Sequence, residues 1–197
     1  MVQRRTLVAR AAIGTAAAAV AALTATQAAT AHGSDDEFRG NLKMLNHSGV
    51  HGKVRLNADD GTVEVKLRAR GLEEMQVHMS HIHGHGDGNQ ATCPKMSADT
   101  NDDGVLTFAE GLPDYGPVMV GLGVDLTNDD ELEYERTFTM TGATGIPPNA
   151  AITALGDLDQ YVVVVHGMTL ADDPDTPAVE RAYVGSLPVA CAVIKEH

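Results

Sequence analysis

The strongest constraint on this chain is a period-two alternation of apolar and polar side chains, repeated in short runs between turn residues. Val63, Val65 and Leu67 alternate with Glu64, Lys66 and Arg68, the pattern of a strand with one buried and one wet face. The same alternation recurs in Val54/Leu56, in Val118/Val120/Leu122/Val124 and in Phe138/Met140. Tyr161 to Val165 is apolar throughout, as a strand buried on both faces would be. Pro188 to Ile194 reads as the last strand. Turns are expected at 57–61, at Gly71 and in the acidic stretch 127–133, with a loose acidic loop at 171–178. No long segment beyond residue 31 holds a 3.6-residue period. The expected class is therefore all-β, a barrel or sandwich of short strands.

The N-terminus reads as an export signal. Basic residues lead into an Ala-rich apolar stretch too short to span a bilayer, and Ala29-Thr30-Ala31 forms a cleavage signature. Residues 1–31 are predicted to be a signal peptide, 32–40 a flexible tail and 41–197 one domain. Arg4-Arg5-Thr6-Leu7-Val8 also fits a loose twin-arginine pattern, so Sec and twin-arginine export are both open. The expected location is secreted or cell-envelope. Loss of residues 1–31 removes three arginines and no acids, taking 14 basic side chains to 11 against 27 acidic ones, a net charge of −16. Such a charge repels nucleic acid and anionic membranes, so neither is an expected partner. Cys93 and Cys191 are the two cysteines. An even count in an exported chain favours one disulfide, with two buried thiols as the alternative.

Chemistry concentrates in HMSHIHGHGDGNQATC, residues 78–93, where His78, His81, His83 and His85 lie within eight residues. Alternate side chains of a strand share a face, so His81, His83 and His85 can point the same way. His-x-His on a strand offers two imidazoles to copper or zinc and needs a third ligand from elsewhere. His166, at the end of YVVVVH, supplies it if the two strands lie side by side. His78 is expected to hydrogen-bond within the fold.

These residues resemble a known family. Val50-His-Gly-Lys-Val-Arg-Leu56, Gly71-Leu72, His78-x-x-His81-x-His83 with Gly86-Asp87 and Cys93, then Val163-Val-Val-His166 and Ala190-Cys191-Ala-Val-Ile194 are similar, in order, to Cu,Zn superoxide dismutases. The resemblance covers roughly residues 50 to 194. It implies an eight-stranded Greek-key barrel, copper on His81, His83 and His166, a Cys93–Cys191 bridge and superoxide as the substrate. His81-Ile-His-Gly84 is also similar to CHRD domains, which implies a non-catalytic metal-binding or interaction module instead. Departures from the dismutase pattern are specific. Residues 94–117 contain no histidine, so the family's zinc site does not carry over and its bridging imidazole is missing unless His85 stands in as a further copper ligand. The family's arginine before the final cysteine is absent too: Pro188 lies near that place and Arg181 is too far back.

In place of the zinc ligands stands DTNDDGVLTFAE, residues 99–110. Asp99, Asn101, Asp103, Val105 (through its carbonyl), Thr107 and Glu110 fall at positions 1, 3, 5, 7, 9 and 12 of the calcium-loop pattern, with Gly104 at the turn position 6. An EF-hand-like calcium loop inserted in the barrel is expected, without the two flanking helices of a full EF-hand.

Overall fold

A computed structural model of the chain describes residues 36–59, 62–85, 88–126, 129–139, 158–170 and 182–197. The chain divides into residues 1–32 and 33–197. The first part, with the predicted signal peptide, lies outside the described residues, as do Met140, Arg181 and the loop at 171–178. None of the described helices is long and apolar enough to cross a membrane.

The described residues of 33–197 form the expected antiparallel β structure. Its strands are β1 (Asp36–Met44), β2 (His51–Asp59), β3 (Thr62–Arg70), β4 (Val77–His83), β5 (Val118–Leu126), β6 (Glu131–Thr139), β7 (Val162–Thr169), β8 (Tyr183–Val193) and the short β9 (Lys195–Glu196), with one α-helix, α1 (Phe108–Tyr115). The sheet order is β5-β4-β7-β8-β1-β2-β3-β6, with β9 added beside β1. The end strands β5 and β6 approach each other, so the sheet curls into a nearly closed eight-stranded barrel. Passing from β3 to β4, and from β6 to β7, the chain crosses over two intervening strands, the Greek-key connection.

Alternation explains the interior. Val63, Val65, Leu67 and Ala69 of β3 are buried, and so are Val54 and Leu56 of β2. Strand β7 is buried on both faces, as its apolar run predicts, because it serves two layers. Val163 and Val165 join the barrel core. Val162 and Val164 pack outward against Leu45, Ala91, Leu106, Tyr115 and Cys191. Each such burial contributes about 1.5–3 kcal/mol. The outer layer is the connection between β4 and β5, folded back over the sheet. It is fastened by a Cys93–Cys191 disulfide with Cα atoms 5.7 Å apart. Buried Asn46 fastens it again: its amide donates to the Leu106 and Pro188 carbonyls (2.8 and 2.9 Å) and its Oδ1 accepts from Leu106 N (2.7 Å).

Four local expectations are corrected. The tail predicted over 32–40 ends earlier, because β1 begins at Asp36 and Phe38 and Leu42 alternate into the core. The turn expected at 57–61 is shorter, since β2 continues through Asp59. Val118 and Val124 are exposed rather than buried with Val120 and Leu122. Opposite β4, strand β5 carries an extra residue at Leu122 and again at Met119, and each bulge exchanges the faces of the residues beyond it. Finally, α1 lies where no helix was expected. Its start is written in Thr107 and Glu110, which form a reciprocal capping box.

Candidate metal centre

Strand pairing assembles the histidines. Strands β4 and β7 are neighbours, with Met79 opposite His166, His81 opposite Val164 and His83 opposite Val162. His81, His83 and His166 therefore share the outer face of this strand pair, beneath the folded-back connection. Bulges surround them: register shifts follow Ser80 and Ile82 on β4 and flank His166 on β7. Bulges re-aim side chains and recur beside functional sites.

The three imidazoles each offer a nitrogen within 4.8 Å of the others, and they are the one such group of three or more metal-binding side chains among the described residues. Ring centroids are 5.1 Å apart for His81–His166, 5.5 Å for His83–His166 and 5.7 Å for His81–His83. Backbone carbonyls set two tautomers. His83 Nδ1 donates to the Gly116 carbonyl (2.9 Å) and His166 Nδ1 to that of Ser186 (3.0 Å). Carbonyls only accept, so in the neutral rings both Nε2 atoms carry lone pairs, and these face each other at 3.4 Å. His81 Nδ1 is enclosed with no hydrogen-bond partner. The facing Nε2 lone pairs of His83 and His166, with nothing to donate to them, are an arrangement that a cation resolves, and a nitrogen of His81 lies within 4.8 Å of them. This donor set fits copper or zinc, and imidazole bonded through its far nitrogen to a carbonyl is the usual support for a ligating histidine.

Burial keeps the cluster neutral. Desolvation pushes His166 down to about 3, with the charges of His81 and His83 acting the same way and its bond to Ser186 opposing. Desolvation also lowers His83 to about 4, opposed by the Gly116 carbonyl and helped by His81. His81 is lowered by burial alone. At neutral pH no proton competes with a metal for these nitrogens.

The surroundings come from α1. Tyr115 meets His83 edge-on at 4.7 Å, and Phe108 lies 6.0 Å from His83 and 6.1 Å from His166. The Tyr115 hydroxyl donates to the Phe108 carbonyl (2.6 Å), locking the helix ends together. Gly116, which orients His83, is the C-cap of the same helix. Neither aromatic stood out in the sequence; the capping box was the one local signal for the element that carries them.

His85 does not join the cluster. Strand β4 ends at His83, the alternation stops there, and His85 Nε2 instead contacts the Asp114 carbonyl at 3.3 Å. His78 lies on the opposite face, fully buried, between the carbonyls of Glu73 (2.9 Å) and His166 (3.3 Å). Pro188 stands opposite His166 across β7 and β8.

The 99–110 loop is tightly wound. Asp99 Oδ2 accepts from Gly104 N (2.8 Å), Asn101 Oδ1 from Asp103 N (3.2 Å) and Asp103 Oδ1 from Val105 N (2.8 Å), while Gly104 adopts φ +79°. Asp99 Oδ1 has no partner. The Glu110 carboxylate accepts from backbone and hydroxyl of both Thr107 and Thr100, at 2.8–3.0 Å. Those bonds, Thr107 foremost, lower its pKa to about 2.

No protein-family profile matches this chain, and no curated protein does. Among solved structures, Cu(II) superoxide dismutase 5 of Candida albicans is similar at 14% identity, covering 83% of this chain and 93% of that chain with a TM-score of 0.41.

Proposed function

We propose that this chain is an exported protein that holds one copper ion on His81, His83 and His166. The carrying observation is the set of three imidazoles, two of them buried, whose nitrogens lie within 4.8 Å of one another, with the tautomers of those two fixed by carbonyls so that their lone pairs face each other. The disulfide supports an oxidising destination. Bound there, copper would supply a Cu(II)/Cu(I) couple of the kind that dismutates superoxide. Of the chain's own residues, Phe108 packs beside His83 and His166 and Tyr115 beside His83, while the Gly116 carbonyl holds His83. Titration with Cu(II) should show about one equivalent bound with nitrogen-dominated spectra, and His81→Ala or His166→Ala should each remove most of that affinity. A folded protein that binds no copper refutes the reading.

A second reading, a non-catalytic CHRD-like module, draws on His85. Turned to the Asp114 carbonyl, it leaves no fourth imidazole to replace the missing bridge, and a strongly acidic chain without the guiding arginine repels an anionic substrate. Stopped-flow turnover of superoxide separates the two: rates near the diffusion limit that vanish in His166→Ala favour the dismutase.

For the 99–110 loop the proposed occupant is calcium, held by Asp99, Asn101, Asp103, the Val105 carbonyl, Thr107 and Glu110. Support comes from the ligand pattern, the Gly104 turn and the unpartnered Asp99 Oδ1. Binding would require Glu110 to leave its threonine partners, so calcium affinity should depend on Thr100 as well as on the acids. Isothermal titration of Thr100→Ala, with Asp99→Ala as the negative control, tests this.

A further inference from the structure

In a chain with 27 acidic and 14 basic side chains, the cations are not spread evenly. Arg39, Lys53, Arg55, Lys66, Arg68 and Arg70 all lie on the outward face of β1, β2 and β3. The register places like charges directly opposite one another: Arg39 faces Arg55, Arg55 faces Lys66, and Lys53 faces Arg68. Directly opposed like charges weaken a sheet; on the β6 side Glu135, Glu133 and Glu131 stand opposite Lys66, Arg68 and Arg70 and offset this, but between β2 and β3 no carboxylate separates Lys53 from Arg68. The face is hollowed into a groove of about 590 Å³ lined by five of these cations with Asn41. A second hollow of about 400 Å³ extends it past Lys53, Arg68 and Arg70 to His51.

The cations are only loosely committed. Glu37 bonds Arg39 and Arg55, Glu64 bonds Lys66, and Glu131, Glu133 and Glu135 of β6 reach Arg70, Arg68 and Lys66 at 3.0–3.5 Å. Exposed pairs like these contribute little and exchange readily for another anion. Lys53, at the centre, has no carboxylate partner among the described residues.

We propose that this groove docks a linear acidic polysaccharide. Neighbouring strands are ~4.8 Å apart and same-face residues ~6.7 Å apart, so the cations form a grid suited to a chain with about one charge per sugar. Duplex DNA, at one charge per ~1.7 Å, is far denser than this grid. No Trp, Tyr or Phe lines either hollow to stack on bases, and no exposed large apolar side chain lines them to enter a bilayer. Glu37 and Glu64 share this face and Glu131, Glu133 and Glu135 border it, so a polyanion in the groove must take the place of these carboxylates on the cations. The site lies on β1–β3 and is independent of the histidine centre on β4 and β7.

The test uses polygalacturonate as the probe, with neutral dextran, duplex DNA and phosphatidylglycerol vesicles as the other arms. The full chain should bind polygalacturonate and lose it as salt rises. A Lys53→Gln/Arg55→Gln/Arg68→Gln variant should bind at least about tenfold more weakly, with copper binding and melting temperature unchanged, while Lys95→Gln binds as the parent does. Should the triple variant fold poorly, Lys53→Gln, which breaks no ion pair, must alone weaken binding at least about threefold. No binding at low salt, an unaffected triple variant, or tighter binding to DNA or vesicles overturns the proposal. Self-association that the triple variant abolishes, without polygalacturonate binding, overturns it in favour of a second copy of this chain.

Discussion

Acidification of the metal-free protein should unfold it well before its carboxylates titrate. In the folded state His83 sits at about 4 and His166 at about 3, against 6.5 for a free imidazole. Between pH 6.5 and about 4 the unfolded chain therefore binds protons that the folded chain refuses. Stability rises with pH wherever the unfolded state holds more protons, so here it falls as the pH falls below 6.5 and levels off only below the folded values. Each tenfold loss of proton affinity on folding is worth about 1.4 kcal/mol, so His83 alone accounts for about 3 kcal/mol and His166 for about 5. The two are coupled and do not add in full. Either is a large part of the ~5–15 kcal/mol that holds a domain together. Glu110, lowered to about 2 from 4.5, loses its contribution only below pH 4.5, so above that pH the loss belongs to the imidazoles. Urea unfolding at half-unit steps from pH 7.5 to 4.5 gives the slope directly, and His166→Gln should flatten it. Metal should shift the loss to lower pH, since protons must then displace it. A stability that stays level between pH 6.5 and 4.5, or a slope unchanged by His166→Gln, would refute the assignment of buried neutral imidazoles.

Other expectations are narrower. Because Cys93 and Cys191 close a loop spanning 98 residues of sequence, reduction should cost about 4–5 kcal/mol in the chain-entropy account, seen as a lower melting temperature in reductant. Thr107→Ala removes the N-cap of α1 and should cost about 1 kcal/mol, read from urea midpoints. Saturating calcium at about 100 times its dissociation constant should add roughly 2.7 kcal/mol, and an identical melting curve with and without chelator would dispose of the calcium loop. Gly116→Ala combines φ +74° with a Cβ driven into the Gly84 carbonyl; it should lower copper affinity by displacing the carbonyl that orients His83, as a spectroscopic titration can measure. His78→Ala should leave copper binding intact while costing about 1–3 kcal/mol of stability through the unmet carbonyls of Glu73 and His166.

Much of the barrel could be read from the chain because strand patterning is local. Whether Val63, Val65 and Leu67 face inward depends on alternation within a few residues, and Tyr161 to Val165 needs only an unbroken apolar run to declare itself buried on both sides. His-x-His at 81 and 83 is equally local, and so was the capping box at Thr107 and Glu110, although its residues also suit a calcium loop and that reading masked the helix. Hidden from the chain was whatever depends on pairing between distant strands. That His166 meets His81 and His83 follows from β4 lying beside β7, which residue pattern alone left as a condition. That His85 does not meet them follows from where β4 stops. Bulges on β5 exchange the faces of Val118 and Val124 because a single extra residue inverts a two-residue period. That Arg39, Lys53, Arg55, Lys66, Arg68 and Arg70 stand side by side, in a chain whose total charge argued against nucleic acid and anionic membranes, follows from the register of β1, β2 and β3. Composition sums charges without regard to position, and a field depends on where they stand.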